Sequence, residues 1–323
     1  MIQKIKKMIP NNVKFYINKC LKPAKFIHYL LLKPKFKECC NQYNIKFQTD
    51  VETVNQIINE KKSLSRFGDG EMLWTLNIEH RSYQKSSEEL TKKLKEVLQN
   101  KNKNLIIGLP NLLDKENLNK YNLDCRIHWV KFITSKFKEF IKFVDRDRIY
   151  ADTQITRCYI DYKDKSFTKE RYANLERIWY EKEVLIVEGE KTRLGIGNDL
   201  FSNAKKIERI ICPSTNAFDK YEEILNAIKK NGKNKIIILA LGPTATILAK
   251  DICDLNGDKI EYQALDLGHI DIEYEWFLMR AKKRNAVKGK YVNEVWKENL
   301  SDVSLNKNDE DMYNESIIYK ITN

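Results

Sequence analysis

From Val184 onward the chain repeats one unit, a short apolar run closed by glycine or proline, and few folds accept that pattern. Val184 to Val187 stops at Gly189. Ile210-Ile211-Cys212 stops at Pro213, and Tyr221, Ile224, Leu225 and Ile228 follow at helical spacing until Gly232. Ile236 to Leu241 ends at Gly242-Pro243 and leads into Ile247, Leu248 and Ile252, while Tyr262 to Leu267 ends at Gly268. An uninterrupted apolar strand is buried on both faces, and strands that alternate with helices pair in parallel. The pattern predicts an α/β fold: a Rossmann-like, mainly parallel sheet with helices on both faces. Ser63-Leu64-Ser65 and Leu105-Ile106-Ile107 supply earlier strands, and Ile317-Ile318-Tyr319 a late edge strand.

Helical periods fill the spaces between. Asp50 reads as the N-cap of a helix with Val51, Val54, Ile57 and Ile58. Ser86 and Glu89 have capping-box spacing ahead of Leu90, Leu94, Val97 and Leu98. Trp129, Val130, Phe132, Ile133, Phe137, Phe140 and Ile141 form an apolar stripe, and Tyr172, Leu175, Ile178 and Trp179 another; both read as core.

Charge divides the chain. Its formal net charge is +13, yet residues 1–50 hold eleven lysines against Glu38 and Asp50, an excess of nine that leaves four for the rest. Residues 1–48 are therefore a basic amphipathic arm, 49–296 the main domain and 297–323 a polar tail. Pro10, Pro23 and Pro34 are expected to cut the arm into short pieces. Such an arm can lie on an anionic membrane surface, or pack on the main domain or a partner. No base-reading motif accompanies the lysines, so nucleic acid is not an expected partner. No apolar run approaches the ~20 residues that span a bilayer. Seven scattered cysteines without a framework or zinc spacing fit reduced thiols and a cytoplasmic setting.

In sheets of this kind ligands bind beyond the carboxyl ends of the strands, where four loops stand. The first is Arg66-Phe67-Gly68-Asp69-Gly70-Glu71. Its two carboxylates, two residues apart, can converge on a hard cation such as magnesium if the loop bends; the plain alternative is a polar turn. The second, Glu188 to Asp199, has Gly195 and Gly197 to admit an anion to backbone N–H groups, with Lys191 and Arg193 to neutralise it. The third, Gly242-Pro243-Thr244-Ala245-Thr246, puts proline at a first helical position and aims free N–H groups outward, as a phosphate requires. The fourth, Asp266 to Trp276, gathers four acids with His269; Asp271 is either a helix cap or, like Glu273, a candidate base.

Taken together and in this order, the loops resemble the bacterial GT-D-type glycosyltransferases, a family long catalogued as a domain of unknown function. The resemblance runs from about Ser63 to Val295. It is densest over Val187-Glu188-Gly189, Arg193 to Leu200, Cys212-Pro213-Ser214, Asn216-Ala217-Phe218, Leu241 to Thr246 and Gly268 to Trp276. The family's Asp-x-Glu metal motif aligns with Asp69 and Glu71. The resemblance implies transfer of a sugar, of the glucose class, from a nucleotide donor such as UDP-glucose, with Mn²⁺ or Mg²⁺. Arg66, Gly68, Arg193, Gly195, Gly197, Asn198, Gly242, Pro243 and Thr244 then make up the donor-binding set, with Glu273, Asp271 or His269 as base for an inverting displacement. The expected acceptor is a hydroxyl on a cell-surface glycan or glycoprotein glycan. A rival reading is a non-catalytic α/β binding module that uses its basic arm to hold an anionic membrane surface or nucleic acid.

Overall fold

The computed structural model describes residues 11–80, 83–112, 115–298 and 300–322, so Lys4, Lys6 and Lys7 of the basic arm lie outside the described residues. The chain opens with helix α1 (Asn11–Tyr43), then β1 (Lys46–Phe47), α2 (Asp50–Asn59), β2 (Ser63–Arg66), α3 (Asp69–Thr75) and α4 (Glu88–Gln99). It continues through β3 (Leu105–Leu109), α5 (Lys115–Asn119), α6 (Leu123–Phe132), β4 (Ile149–Asp152) and α7 (Thr168–Glu176). Then come β5 (Glu183–Gly189), β6 (Lys206–Cys212), α8 (Tyr221–Asn231), β7 (Ile236–Ala240), α9 (Pro243–Cys253), β8 (Gln263–Asp266) and α10 (Ile270–Leu278). The chain closes with α11 (Lys307–Ser316) and β9 (Ile317–Lys320).

The strands form one nine-stranded sheet in the order β1-β4-β3-β2-β8-β7-β5-β6-β9, and every strand pair in it is parallel. Side chains alternate across it, as a period of two demands. Leu185 and Val187 join the core under α4, α8 and α9, whereas Val184 and Ile186 join the one under α2, α7 and α10. The expected two-faced α/β sheet is therefore present. The late strand also forms, so the polar tail is not a separate layer: β9 pairs with β6, and Ser316 accepts a hydrogen bond from Arg209.

Three local expectations need correction. Thr49, not Asp50, caps α2, because its hydroxyl accepts the Glu52 N–H while Glu52 accepts the Thr49 N–H. Ser87, not Ser86, caps α4 through the Leu90 N–H. The larger correction is the arm: α1 runs unbroken through Pro23 and Pro34. Its inner face buries Tyr29, Phe36, Cys39 and Tyr43, and Tyr43 packs against Phe137. Burying the large side chains, at roughly 1.5–3 kcal/mol each, offsets the roughly 3 kcal/mol that an interior proline costs. Residues 46 and 47 of the arm moreover pair with β4 at the sheet edge.

Candidate active site

Strand order reverses beside β2. The chain steps from β2 through β3 to β4 on one side, and β8 closes on the other. A crevice at such a switch point is the ligand position of open α/β sheets. A cavity of about 820 Å³ opens there, walled by the segments that follow β2, β4, β5, β6, β7 and β8.

Asp69 and Glu71 line this cavity, but not from a bent loop. They stand in the first turn of α3, with Gly68 as the N-cap. Glu71 Oε2 accepts the Gly68 N–H at 2.9 Å. Burial pushes the Glu71 carboxyl up to about 7, and the charges of Asp266 and Asp69 add to the rise. Asp69 is about half exposed, 48%, and its Oδ2 lies 3.0 Å from His128 Nε2 on α6. Burial acts to raise its pKa, but the His128 hydrogen bond and charge, with Arg157, hold the carboxyl below its usual value. Among the described residues no group of three or more His, Cys, Asp or Glu is placed to hold a metal ion. Two hard carboxylates facing a cavity suit a magnesium-type ion that takes its other ligands from phosphate and water. A cation would also relieve the repulsion that raises Glu71, so the pair fits the implied metal.

Arg66 also lines the cavity, yet its guanidinium is spent on the protein. It donates to the Asp266 carboxylate and carbonyl, the Thr153 and Gly268 carbonyls and the Thr156 hydroxyl, which ties β2 to β8 and to the segment after β4. Beyond it sits a charged network. His269 Nε2 lies 2.7 Å from Glu294 Oε1, and Arg157 Nη2 donates to the same oxygen at 2.9 Å. Burial favours the neutral Glu294, but His269 and Arg157 outweigh it and hold the carboxyl well below the usual range. Burial likewise opposes the charge on Arg157, and Glu294, Glu273 and Asp161 overcome it and push its pKa up.

Besides Asp69, Glu71 and Arg66, the structure brings His269, Gly68 and Gly242 to the cavity and takes the remaining predicted residues elsewhere. Asp271 is not the cap of α10; His269 holds that position with left-handed backbone. Asp271 is buried and accepts from the Gly195 N–H, Asn198 Nδ2 and Lys290 Nζ, each at 2.7–2.8 Å. Glu273 is fully buried and accepts the N–H groups of Tyr159 and Ile160. Both acids therefore hold loops together. The 190–199 loop turns away from the cavity: Arg193 donates to the Gly289 carbonyl, and Lys191 pairs with Asp302. Gly195 (φ +70°) abuts Phe201, while Gly197 (φ +78°) has Asp309 nearby. Of this region, Gly189 and Thr192 reach the cavity. Pro243 opens α9, and Thr244 is buried with its hydroxyl unpartnered among the described residues.

Gly242 meets both demands on a glycine. Its φ is +57°, and an added Cβ would stand 2.2 Å from the Tyr83 hydroxyl. Gly242→Ala is expected to displace Tyr83 from the cavity wall and, if the cavity takes the nucleotide donor that the sequence resemblance implies, to weaken its binding about tenfold or more, the effect of roughly 1–3 kcal/mol of local strain. Titration calorimetry with UDP reads it, and unchanged affinity would remove Gly242 from the donor-binding set.

His128, Arg157, Tyr83 and Glu294 were not singled out in the sequence. One signal was available: the chain has four histidines, and three of them, His80, His128 and His269, line one cavity.

Comparison with known proteins bears on this arrangement. A family model described as the glycosyltransferase GT-D fold matches residues 64–295. Glycosyltransferase GlyD of Streptococcus pneumoniae serotype 4 is 36% identical over 276 residues, which cover 84% of this chain and 32% of GlyD. The probable glycosyl transferase Gly of Streptococcus gordonii is 35% identical over 270 residues, 83% of this chain and 37% of Gly. The chain thus spans about a third of the length of these curated relatives. A solved structure of the highly conserved domain of unknown function 1792, described as having a distinct glycosyltransferase fold, superposes with a TM-score of 0.80 at 35% identity. The match covers 90% of this chain and 100% of that one. A glycosyltransferase of the same domain type from Streptococcus sanguinis gives 0.76 at 31% identity, over 86% of this chain and 100% of its own.

Proposed function

This chain belongs to the family of glycosyltransferases with the GT-D fold, and from that premise we propose that it transfers a hexose from a UDP-sugar such as UDP-glucose to a hydroxyl of a glycan or glycoprotein glycan. The observation that carries the reading is that Asp69, Glu71, His269 and Glu294 all line one cavity at the switch point of the sheet. Asp69 and Glu71 would hold Mn²⁺ or Mg²⁺ together with the donor diphosphate. When bound, such an ion supplies Lewis-acid stabilisation of the charge that grows on the leaving diphosphate.

The chain's own groups do the rest. Gly242, at the start of α9, and Thr192 line the cavity from the β7 and β5 sides, where a backbone N–H and a hydroxyl would suit the diphosphate. His269 is the one of the three predicted bases that lines the cavity. Glu294 fixes its Nε2, which leaves Nδ1 to accept the proton of the attacking hydroxyl. Arg157 holds Glu294 ionised for that task. Attack opposite the leaving diphosphate inverts the anomeric carbon, and an NMR assignment of a retained configuration in the product would rule this out. Nucleotide sugars are the currency of the cytoplasm, where we place the reaction.

His269→Ala is expected to lower kcat by about 10²–10⁴, the usual contribution of a general base, with donor affinity little changed. Glu294→Gln should fall between His269→Ala and wild type. A His269→Ala enzyme with wild-type kcat would show that the base lies elsewhere. The rival reading, a binding module without chemistry, predicts no donor turnover by the wild type at all.

A further inference from the structure

α1 has two apolar faces. The inner one is buried on the core through Tyr29, Phe36, Cys39 and Tyr43. On the outer side Phe26, Ile27, Leu30 and Leu31 are 40%, 57%, 42% and 72% exposed. Helical periodicity places Ile27, Leu30 and Leu31 opposite the buried stripe. Lys35 and Lys37, both exposed, flank this row, while Lys33 lies over the Tyr29 ring and Lys25 is on the side of the buried stripe. Residues 1–37 hold ten lysines and no acid.

We propose that this outer face of α1 docks the protein on an anionic lipid membrane, with Phe26, Ile27, Leu30 and Leu31 entering the headgroup boundary and the lysines meeting lipid phosphates. Charge decides among the occupants. A second copy of the chain would bring one lysine-rich helix, with Glu38 as its single acid up to Tyr43, against another, and like charges repel. A nucleic acid would use the lysines but leave the apolar row exposed to water. An anionic bilayer uses both, at roughly a fivefold gain in partitioning per lysine. Surface docking also fits the helix itself: among the described residues no helix is long and apolar enough to cross a membrane. Because α1 packs on α6, which carries His128 and Trp129 into the cavity wall, docking would hold the cavity beside the bilayer. This inference does not depend on the transfer reaction.

The test is co-sedimentation of the full chain with vesicles of phosphatidylcholine alone or mixed with phosphatidylglycerol, at low and high salt. Binding to the anionic vesicles is expected, weakened by salt, with the chain left in the supernatant by neutral ones. Replacing Ile27 and Leu31 with serine should cut partitioning on the order of a hundredfold. Lys35→Gln and Lys37→Gln together should cut it about twenty-five-fold. All these side chains are exposed and none of them lines the cavity, so thermal unfolding and donor turnover should stay at wild-type values. The proposal is overturned if anionic vesicles leave the chain in the supernatant, if neutral vesicles bind it equally, or if the variants bind undiminished. It is also overturned if the chain prefers single-stranded RNA to vesicles, or if it sediments as a dimer that the serine variant dissociates.

Discussion

Asp69→Asn and Glu71→Gln are each expected to lower donor turnover by about a thousandfold while the protein stays folded. Lewis-acid stabilisation of a departing diphosphate is worth several kcal/mol, and about 4 kcal/mol is a factor of a thousand in rate. The structural cost of either change is small by comparison. Asp69 is half exposed, and its ion pair is with His128, itself about half exposed. Glutamine at 71 keeps an acceptor oxygen for the Gly68 N–H, so the start of α3 survives. The discriminating readouts are turnover, manganese affinity and the thermal midpoint, measured on the same samples. Turnover and affinity should fall together with the midpoint nearly fixed. Two variants with wild-type turnover would refute the metal assignment.

Arg209→Met is expected to destabilise the fold by about 3–5 kcal/mol, because it strands a buried carboxylate. Arg209 and Glu188 form an ion pair at 2.6 Å, with side chains 2% and 0% exposed. Glu188 also accepts the Leu194 N–H, and Arg209 donates to the Leu194 carbonyl and the Ser316 hydroxyl. The pair thus fastens the 190–199 loop and the C-terminal segment to β5 and β6. At roughly 2–4 °C per kcal/mol for domains of 150–250 residues, and somewhat less for a larger one, the midpoint should fall by about ten degrees. The double variant with Glu188→Leu should recover part of the loss, since no unpaired charge remains. Recovery will be incomplete because the Leu194 N–H still lacks its acceptor. A single variant within a degree of wild type would show that Glu188 finds other partners or water.

What the sequence disclosed follows from what a sequence records. β3, β5, β7 and the end of β6 were legible because strands buried on both faces read as continuous apolar runs. β4, Ile149-Tyr150-Ala151-Asp152, is three apolar residues directly after the charged run Asp145-Arg146-Asp147-Arg148, with no glycine or proline to close it; β1 is two residues long. The prolines of α1 misled because the local rule is blind to the core that Tyr29 and Phe36 enter. In the site, the glycines and carboxylates of Gly68 to Glu71 were visible as a local pattern. Their partners were not, since His128 and Glu294 arrive from α6 and from the segment after α10. The acids of the fourth loop failed differently. Asp271 and Glu273 look like solvated first-turn acids, yet the fold turns them inward onto Lys290, Gly195 and the Tyr159 and Ile160 amides. Residue type gives a charge, and only the packed structure gives the direction in which it points.

The most direct test of the central claim, that this cavity is a metal-dependent nucleotide-sugar site, needs no acceptor. The purified chain is incubated with a panel of nucleotide sugars, with and without manganese, and release of the free nucleotide is followed. The account predicts slow, manganese-dependent release of UDP from UDP-glucose or a related UDP-hexose, abolished by Asp69→Asn. Release that is indifferent to both manganese and Asp69, or no release and no binding of any nucleotide sugar with manganese present, would contradict it.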